Sequence, residues 1–254
     1  MSYSTKKKRS LGVMLLAILI IITLVVSSTY LYETNTETCK NVLVSGGAGN
    51  VDIVFLADNY QNIFDFKSDV NHYVDRNGIY NGLLSVEPFK SNWYRLNFYL
   101  VEELNDLDCL TGKDYLLCNQ NKAKSAASSC PHDFIVVLSQ QNPFDSSANL
   151  RSSAYIGVAT INTADNRLVL THEFGHLFGG LADEYLTGDE NVDAPNCDVV
   201  TCPKWYGLFD GIGCFKECTS ADMYRSTRNS IMRDYTKTNE FGPLNENILT
   251  RRFL

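Results

Sequence analysis

Histidine is scarce in this chain, with four among 254 residues, so any metal site built from imidazoles has few places to form. Basic residues are also in deficit, 22 Lys and Arg against 29 Asp and Glu. Four of those cations, Lys6, Lys7, Lys8 and Arg9, sit at the N-terminus; setting them aside leaves 18 basic against 29 acidic residues, a net of −11. Such a surface repels phosphate backbones and anionic headgroups, which excludes a nucleic-acid role. No Asn-x-Ser/Thr acceptor occurs, which points to a prokaryotic rather than a eukaryotic secretory origin. No internal repeat is present, and no acidic residue precedes Glu33.

What is there begins with a long apolar run, Leu11 to Val26, continuing through Ser27, Ser28 and Thr29 to Tyr30 and Tyr32. A membrane-spanning helix needs about 20 mainly apolar residues. Residues 11–32 are therefore expected to be a transmembrane signal anchor behind a cytoplasmic basic tail, residues 1–10, with the C-terminal part extracytoplasmic. A cleaved signal peptide is the alternative, which would make the protein secreted. Its apolar region usually spans about 7–15 residues, and no clear small-x-small cleavage site follows here. Both readings export the rest of the chain. All eight cysteines lie beyond this segment. In an oxidising compartment they read as disulfides, although eight cysteines allow 105 pairings. A structural zinc knuckle from Cys197, Cys202, Cys214 and Cys218 is the competing reading, but its spacings are loose for one.

Hydrophobic residues make up 44% and charged residues 20%, an ordinary globular composition. Residues 33–50 read as a stalk and glycine-rich linker, and residues 51–254 as the main folded domain, with an upper subdomain 51–180 and a lower one 181–254. Val51 to Ala57, Leu96 to Val101, Asp133 to Leu138 and Ala154 to Ala159 are expected strands, the last at an edge. Gln61 to Arg76 has helical apolar spacing. Asp165 or Asn166 can cap a helix running to Phe178 and stopped by Gly179-Gly180. Cys109 to Cys130 reads as a polar excursion stapled by its own cysteines. Tyr185 to Phe241 reads as mostly irregular, with a short closing helix over Asn245 to Phe253. Strands alternating with helices predict an α/β (α+β) domain with a mixed sheet, an active-site helix and a disulfide-rich C-terminal part.

The chemistry is concentrated in His172-Glu173-Phe174-Gly175-His176. Residues four apart share a helix face, so both imidazoles can reach one metal ion. Glu173 lies beside the first of them and is placed to act as general base on a zinc-activated water. Catalytic zinc takes three protein ligands and keeps one position open. Asp183 and Glu184 follow the glycine turn and are the acidic candidates for the third ligand.

The segment resembles metzincins, in which a His or Asp three residues after the turning glycine completes the site. Counted from Gly180, that residue is Asp183, with Glu184 second. Ser230-Ile231-Met232 resembles the methionine turn that underlies such sites, and Tyr235 follows as a candidate oxyanion stabiliser. More specifically, the chain resembles the IgA-peptidase family of metzincin-type zinc endopeptidases. HEFGHLFGGLADEY, His172 to Tyr185, carries most of the resemblance. Val51 to Tyr60 resembles the family's opening strand, with Ala57-Asp58-Asn59-Tyr60 where GDGY is usual. Glu87-Pro88-Phe89, Asn97-Phe98-Tyr99, Ser230 to Arg233 and Phe241-Gly242-Pro243 add to it. The resemblance implies a zincin-like fold, zinc on His172, His176 and Asp183, Glu173 as base, and a peptide or protein substrate. Larger members carry extra domains absent here, so specificity for immunoglobulin does not carry over. The expected function is a membrane-anchored zinc metalloendopeptidase. The alternatives are a zinc hydrolase of cell-wall peptides and a non-catalytic surface binding module on the same scaffold.

Overall fold

The computed structural model describes residues 16–24, 38–47, 50–111, 114–144, 146–188, 193–208 and 212–254. They fall into two units, residues 1–39 and 40–254. In the first, residues 16–24 form helix α1. The rest of the expected membrane segment and the whole basic tail lie outside the described residues. Among the described residues, no helix is long and apolar enough to cross a membrane.

A six-stranded mixed sheet organises the second unit. In chain order its parts are β1 (Cys39–Leu43), β2 (Val51–Asp58), helix α2 (Ile63–Val74) and β3 (Leu96–Asn105). A two-stranded excursion follows, β4 (Leu110–Thr111) and β5 (Leu116–Leu117), then helix α3 (Gln120–Ala127), β6 (Phe134–Ser139), β7 (Ser153–Tyr155) and β8 (Val158–Asn162). The strand order is β1-β3-β2-β6-β8-β7. Strands β3, β2, β6 and β8 run parallel, and β7 runs antiparallel to β8. Central parallel strands are covered on both faces, which is why β2 from Ile53 to Ala57 and β6 from Phe134 to Leu138 read as continuous apolar runs. After the sheet come helix α4 (Leu168–Gly179), a second sheet of β9 (Phe215–Cys218) and β10 (Ser220–Arg225), and helices α5 (Ile231–Asp234) and α6 (Pro243–Arg251).

The structure differs from the sequence expectation in four places. The strand expected over Ala154 to Ala159 is a hairpin: Ile156 and Gly157 adopt φ values of 44° and 81° and form the two-residue turn between β7 and β8. Strand β1 occupies part of the expected linker. The polar excursion contains α3, which buries only Ala123 and Ala127 and so shows little apolar periodicity. The segment expected to be irregular contains β9 and β10.

Cysteines pair as Cys109–Cys118, Cys197–Cys218 and Cys202–Cys214, while Cys39 and Cys130 are also disulfide-bonded. No thiol is free, which removes the zinc-knuckle reading.

Helix α4 is buried on nearly every side, with only His176 and Leu177 partly exposed. Its Phe174 and Phe178 stack and enter an aromatic cluster with Phe89, Phe134 and Phe253. His172 and His176, offset from that pair by two residues, therefore project from the opposite face. Gly180 ends the helix at φ 64°, a left-handed position that suits glycine, and its N–H bonds back to the carbonyls of Gly175 and His176.

Candidate metal centre

Three side chains converge beyond the end of α4. Nε2 of His172 lies 3.2 Å from Nε2 of His176, and Oδ1 of Asp183 lies 3.2 and 3.4 Å from those same two nitrogens. His172 Nδ1 is 3.0 Å from the carbonyl oxygen of Ile231, and His176 Nδ1 is 2.6 Å from that of Leu181. A carbonyl can only accept, so each ring carries its proton on Nδ1 and turns the lone pair of Nε2 inward. The Asp183 oxygen facing those lone pairs is buried and has no hydrogen-bond partner. Two lone pairs and a carboxylate oxygen in mutual contact repel one another unless a cation lies between them. The edge of a tetrahedron with metal–ligand bonds of 2.0–2.2 Å is about 3.3–3.6 Å, which matches the three separations. The donor set therefore fits a small divalent cation.

The electrostatics agree. Burial lowers the pKa of His176, but the Asp183 carboxylate and the charge of Glu173 outweigh it and hold the ring at about 9. Burial raises that of Asp183, but the two imidazoles outweigh it and hold the carboxyl well below its ordinary range. A site that retains a proton this strongly attracts a divalent cation for the same reason. Glu173 is 6% exposed, and burial raises its carboxyl above the ordinary range against the opposing pull of His172 and His176.

Glu184 points elsewhere. It is fully buried and accepts from Asn196 Nδ2 at 3.1 Å, from Asn245 Nδ2 at 2.9 Å and from the Ser230 hydroxyl. Asn196 also bonds both the N–H and the C=O of Ala182, at 2.8 and 2.9 Å. This knot fixes the backbone on either side of Asp183. Glu184 is thus a buried structural carboxylate rather than the alternative third ligand.

Met232 lies beneath the helix: a Cβ added to Gly175 would come within 2.6 Å of its sulfur. Ser230 caps α5 by accepting from the N–H of Arg233, and Ile231 in the same turn supplies the carbonyl that orients His172. The Tyr235 ring is 5.3 Å from that of His172, and its hydroxyl donates to Asp165 Oδ2 at 2.8 Å. Asn166 accepts from the N–H of Leu168 at 2.9 Å, but the N-cap of α4 is Arg167 and carries no side-chain cap, so neither Asp165 nor Asn166 is the capping residue.

Two residues that sequence reasoning did not single out also border the site. Tyr185 lies two residues beyond Asp183, and its hydroxyl accepts from Arg151. The DEY triplet was the only signal for Tyr185, and nothing local marks Arg151. A second group, Asp58 with Cys109 and Cys118, offers no such centre, because those sulfurs are joined in a disulfide.

None of the curated proteins matches the chain. Residues 105–199, which contain α4 and Asp183, match the family model described as IgA Peptidase M64. That match, over 95 residues of the chain, supports membership of the IgA-peptidase family of metallopeptidases and indicates an enzyme that acts on peptide bonds.

Proposed function

We propose that this peptidase is a zinc-dependent endopeptidase of metzincin type, with zinc held by Nε2 of His172, Nε2 of His176 and a carboxylate oxygen of Asp183. The observation that carries the reading is the convergence of those donors while both Nδ1 protons are given to backbone carbonyls. Bound zinc would supply the electrophile that polarises the scissile carbonyl and acidifies a water molecule. Glu173 takes a proton from that water as its oxygen attacks the carbonyl carbon. It returns the proton to the departing amine as the C–N bond breaks. Burial raises the affinity of Glu173 for a proton, which suits a base working near neutral pH. Tyr235 takes an oxyanion-stabilising role only by exchanging its bond to Asp165 for one to substrate. The substrate lies extended along β7, the edge strand, by strand addition.

The disulfides support an oxidising, extracytoplasmic compartment. With them goes the proposed N-terminal anchor over residues 11–32, and exported proteins or peptides as substrates. The test is a peptide-library digest by the full chain, with and without chelator, alongside metal analysis. Glu173→Ala is expected to retain about one zinc per chain and to lose at least about 100-fold in turnover. Full activity in that variant would remove Glu173 from the mechanism.

A further inference from the structure

Arg151, two residues before the edge strand β7, is tied by its side chain to Tyr185, which follows Asp183-Glu184 in the chain. Its Nη2 donates to the hydroxyl of Tyr185, two residues beyond Asp183 in the chain. Its Nη1 donates to the hydroxyl of Tyr115 at 3.1 Å, and its guanidinium lies 5.1 and 5.4 Å from the two phenol rings. The backbone is fixed as well: Arg151 bridges to Tyr115 in parallel sense, the N–H of Leu116 donates to its carbonyl at 2.9 Å, and its own N–H donates to the backbone carbonyl of Asp114. Tyr115 belongs to the loop closed by the Cys109–Cys118 disulfide, so the arginine is braced from both sides.

Both side-chain acceptors of this guanidinium are neutral phenols. No carboxylate among the described residues lies within ion-pair distance of it. Asp183 and Glu173 act on it only at longer range. Arg151 is nevertheless exposed, beside the strand along which a substrate would lie. A guanidinium presents five donors in a planar fork suited to a carboxylate. Two of its nitrogens are engaged by the phenols, and donors remain for a ligand. Bracing by tyrosines removes much of the entropy that a free arginine loses on binding, so the fork is pre-organised.

We propose that Arg151 is a specificity-determining residue that selects substrates bearing a carboxylate next to the scissile bond. The carboxylate is supplied either by an Asp or Glu side chain within the substrate, as endopeptidase action requires, or by a free peptide C-terminus, which would make the enzyme a carboxypeptidase. This inference rests on the peptidase reading of the same site.

The test measures binding and cleavage separately. In the full chain carrying Glu173→Gln, fluorescent peptides that differ only as Glu against Gln, and as free against amidated C-terminus, are titrated by polarisation. The peptide with the recognised carboxylate is expected to bind about 10- to 100-fold more tightly than its neutral partner, the scale of one charged hydrogen-bonded contact. Which of the two pairs shows the difference identifies the source of the carboxylate. Arg151→Ala should bring that ratio to about one, and Arg151→Glu should invert it in favour of a Lys peptide, whereas a merely bracing arginine would weaken all peptides alike. Inversion by charge reversal is a gain that misfolding cannot imitate. Equal binding of charged and neutral peptides by the Glu173→Gln protein overturns the proposal, as does a loss in Arg151→Ala that ignores peptide charge. Preference in binding without cleavage by the parent chain would sink the peptidase mechanism and leave the role of Arg151 standing.

Discussion

At residue scale the most informative comparison is between Asp183 and Glu184, adjacent carboxylates with opposite surroundings. Asp183 turns an unpartnered oxygen toward two imidazoles, while Glu184 turns both oxygens toward neutral donors and is sealed from solvent. Amide substitution separates them. Asp183→Asn removes the negative charge that balances a cation, so zinc affinity should fall by more than the roughly 10- to 100-fold typical of losing an outer partner. Competition against a chromophoric chelator measures it. Glu184→Gln keeps an acceptor for Asn196 and Asn245 and offers Ser230 a donor, so zinc affinity and fold should survive. Glu184→Ala strands three donors and should cost about 3 kcal/mol or more in denaturant unfolding. Equal loss of zinc in Asp183→Asn and Glu184→Gln would undo the assignment of the third ligand.

At the scale of elements, α4 carries two i,i+4 pairs on opposite faces, one imidazole and one phenylalanine. Between them lies Gly175, where the methionine turn makes its closest approach. An added Cβ would stand 2.6 Å from the sulfur of Met232 and 3.1 Å from the Phe241 ring, both in fully buried residues. Gly175→Ala should therefore cost about 1–3 kcal/mol by overpacking. It should also weaken zinc binding, because pushing Met232 shifts the Ile231 carbonyl that orients His172. A thermal scan read beside a zinc titration checks both; destabilisation with zinc affinity intact would mean that the turn does not support the ligand.

The same helix shows how far the sequence was legible. The spacing of His172, Glu173 and His176 is a local property of an α-helix, and so is the glycine that stops it. The central strands β2 and β6 were legible because burial on both faces forces continuous apolar runs, and β3 because its first half is rich in aromatic and branched residues. The hairpin β7–β8 was not, since its turn uses Ile156-Gly157 where Asn-Gly would have signalled it. Strands β9 and β10 contain Lys216, Glu217 and Asp222 and are held by a neighbouring disulfide rather than by an alternating apolar face. The partners of Glu184 come from positions 12, 46 and 61 residues away, and Arg151 reaches Tyr185 across 34. Contacts at such separations leave no periodic trace in the chain.

At the scale of the catalytic unit, the proposed metal ligands are held in two different ways. His172 and His176 rest on a helix anchored in the aromatic core, but Asp183 lies on a loop with no regular structure of its own. That loop is gripped twice: Asn196 holds Ala182 by both backbone groups, and the N–H of Thr219 donates to the carbonyls of Asp183 and Tyr185 at 3.1 and 3.0 Å. Residues 196 and 219 flank the Cys197–Cys218 disulfide, whose sulfur at Cys218 also contacts the carbonyl of Asn196 at 3.6 Å. The bridge therefore sets the separation of the two grips, beyond its general stabilisation of about 3 kcal/mol for a loop of this length. Replacing Cys197 and Cys218 together with serine should lower zinc affinity by about 10- to 100-fold, the scale of lost outer support, while far-ultraviolet circular dichroism of the sheet persists. Replacing Cys109 and Cys118 removes a bridge of similar entropic weight at the other side of Arg151. That variant should keep its zinc affinity and instead lose discrimination between charged and neutral peptides, because Tyr115 is freed. If both pairs of replacements weaken zinc to the same degree, the disulfides act only through global stability, and Asp183 is positioned by something other than the Asn196 and Thr219 grips.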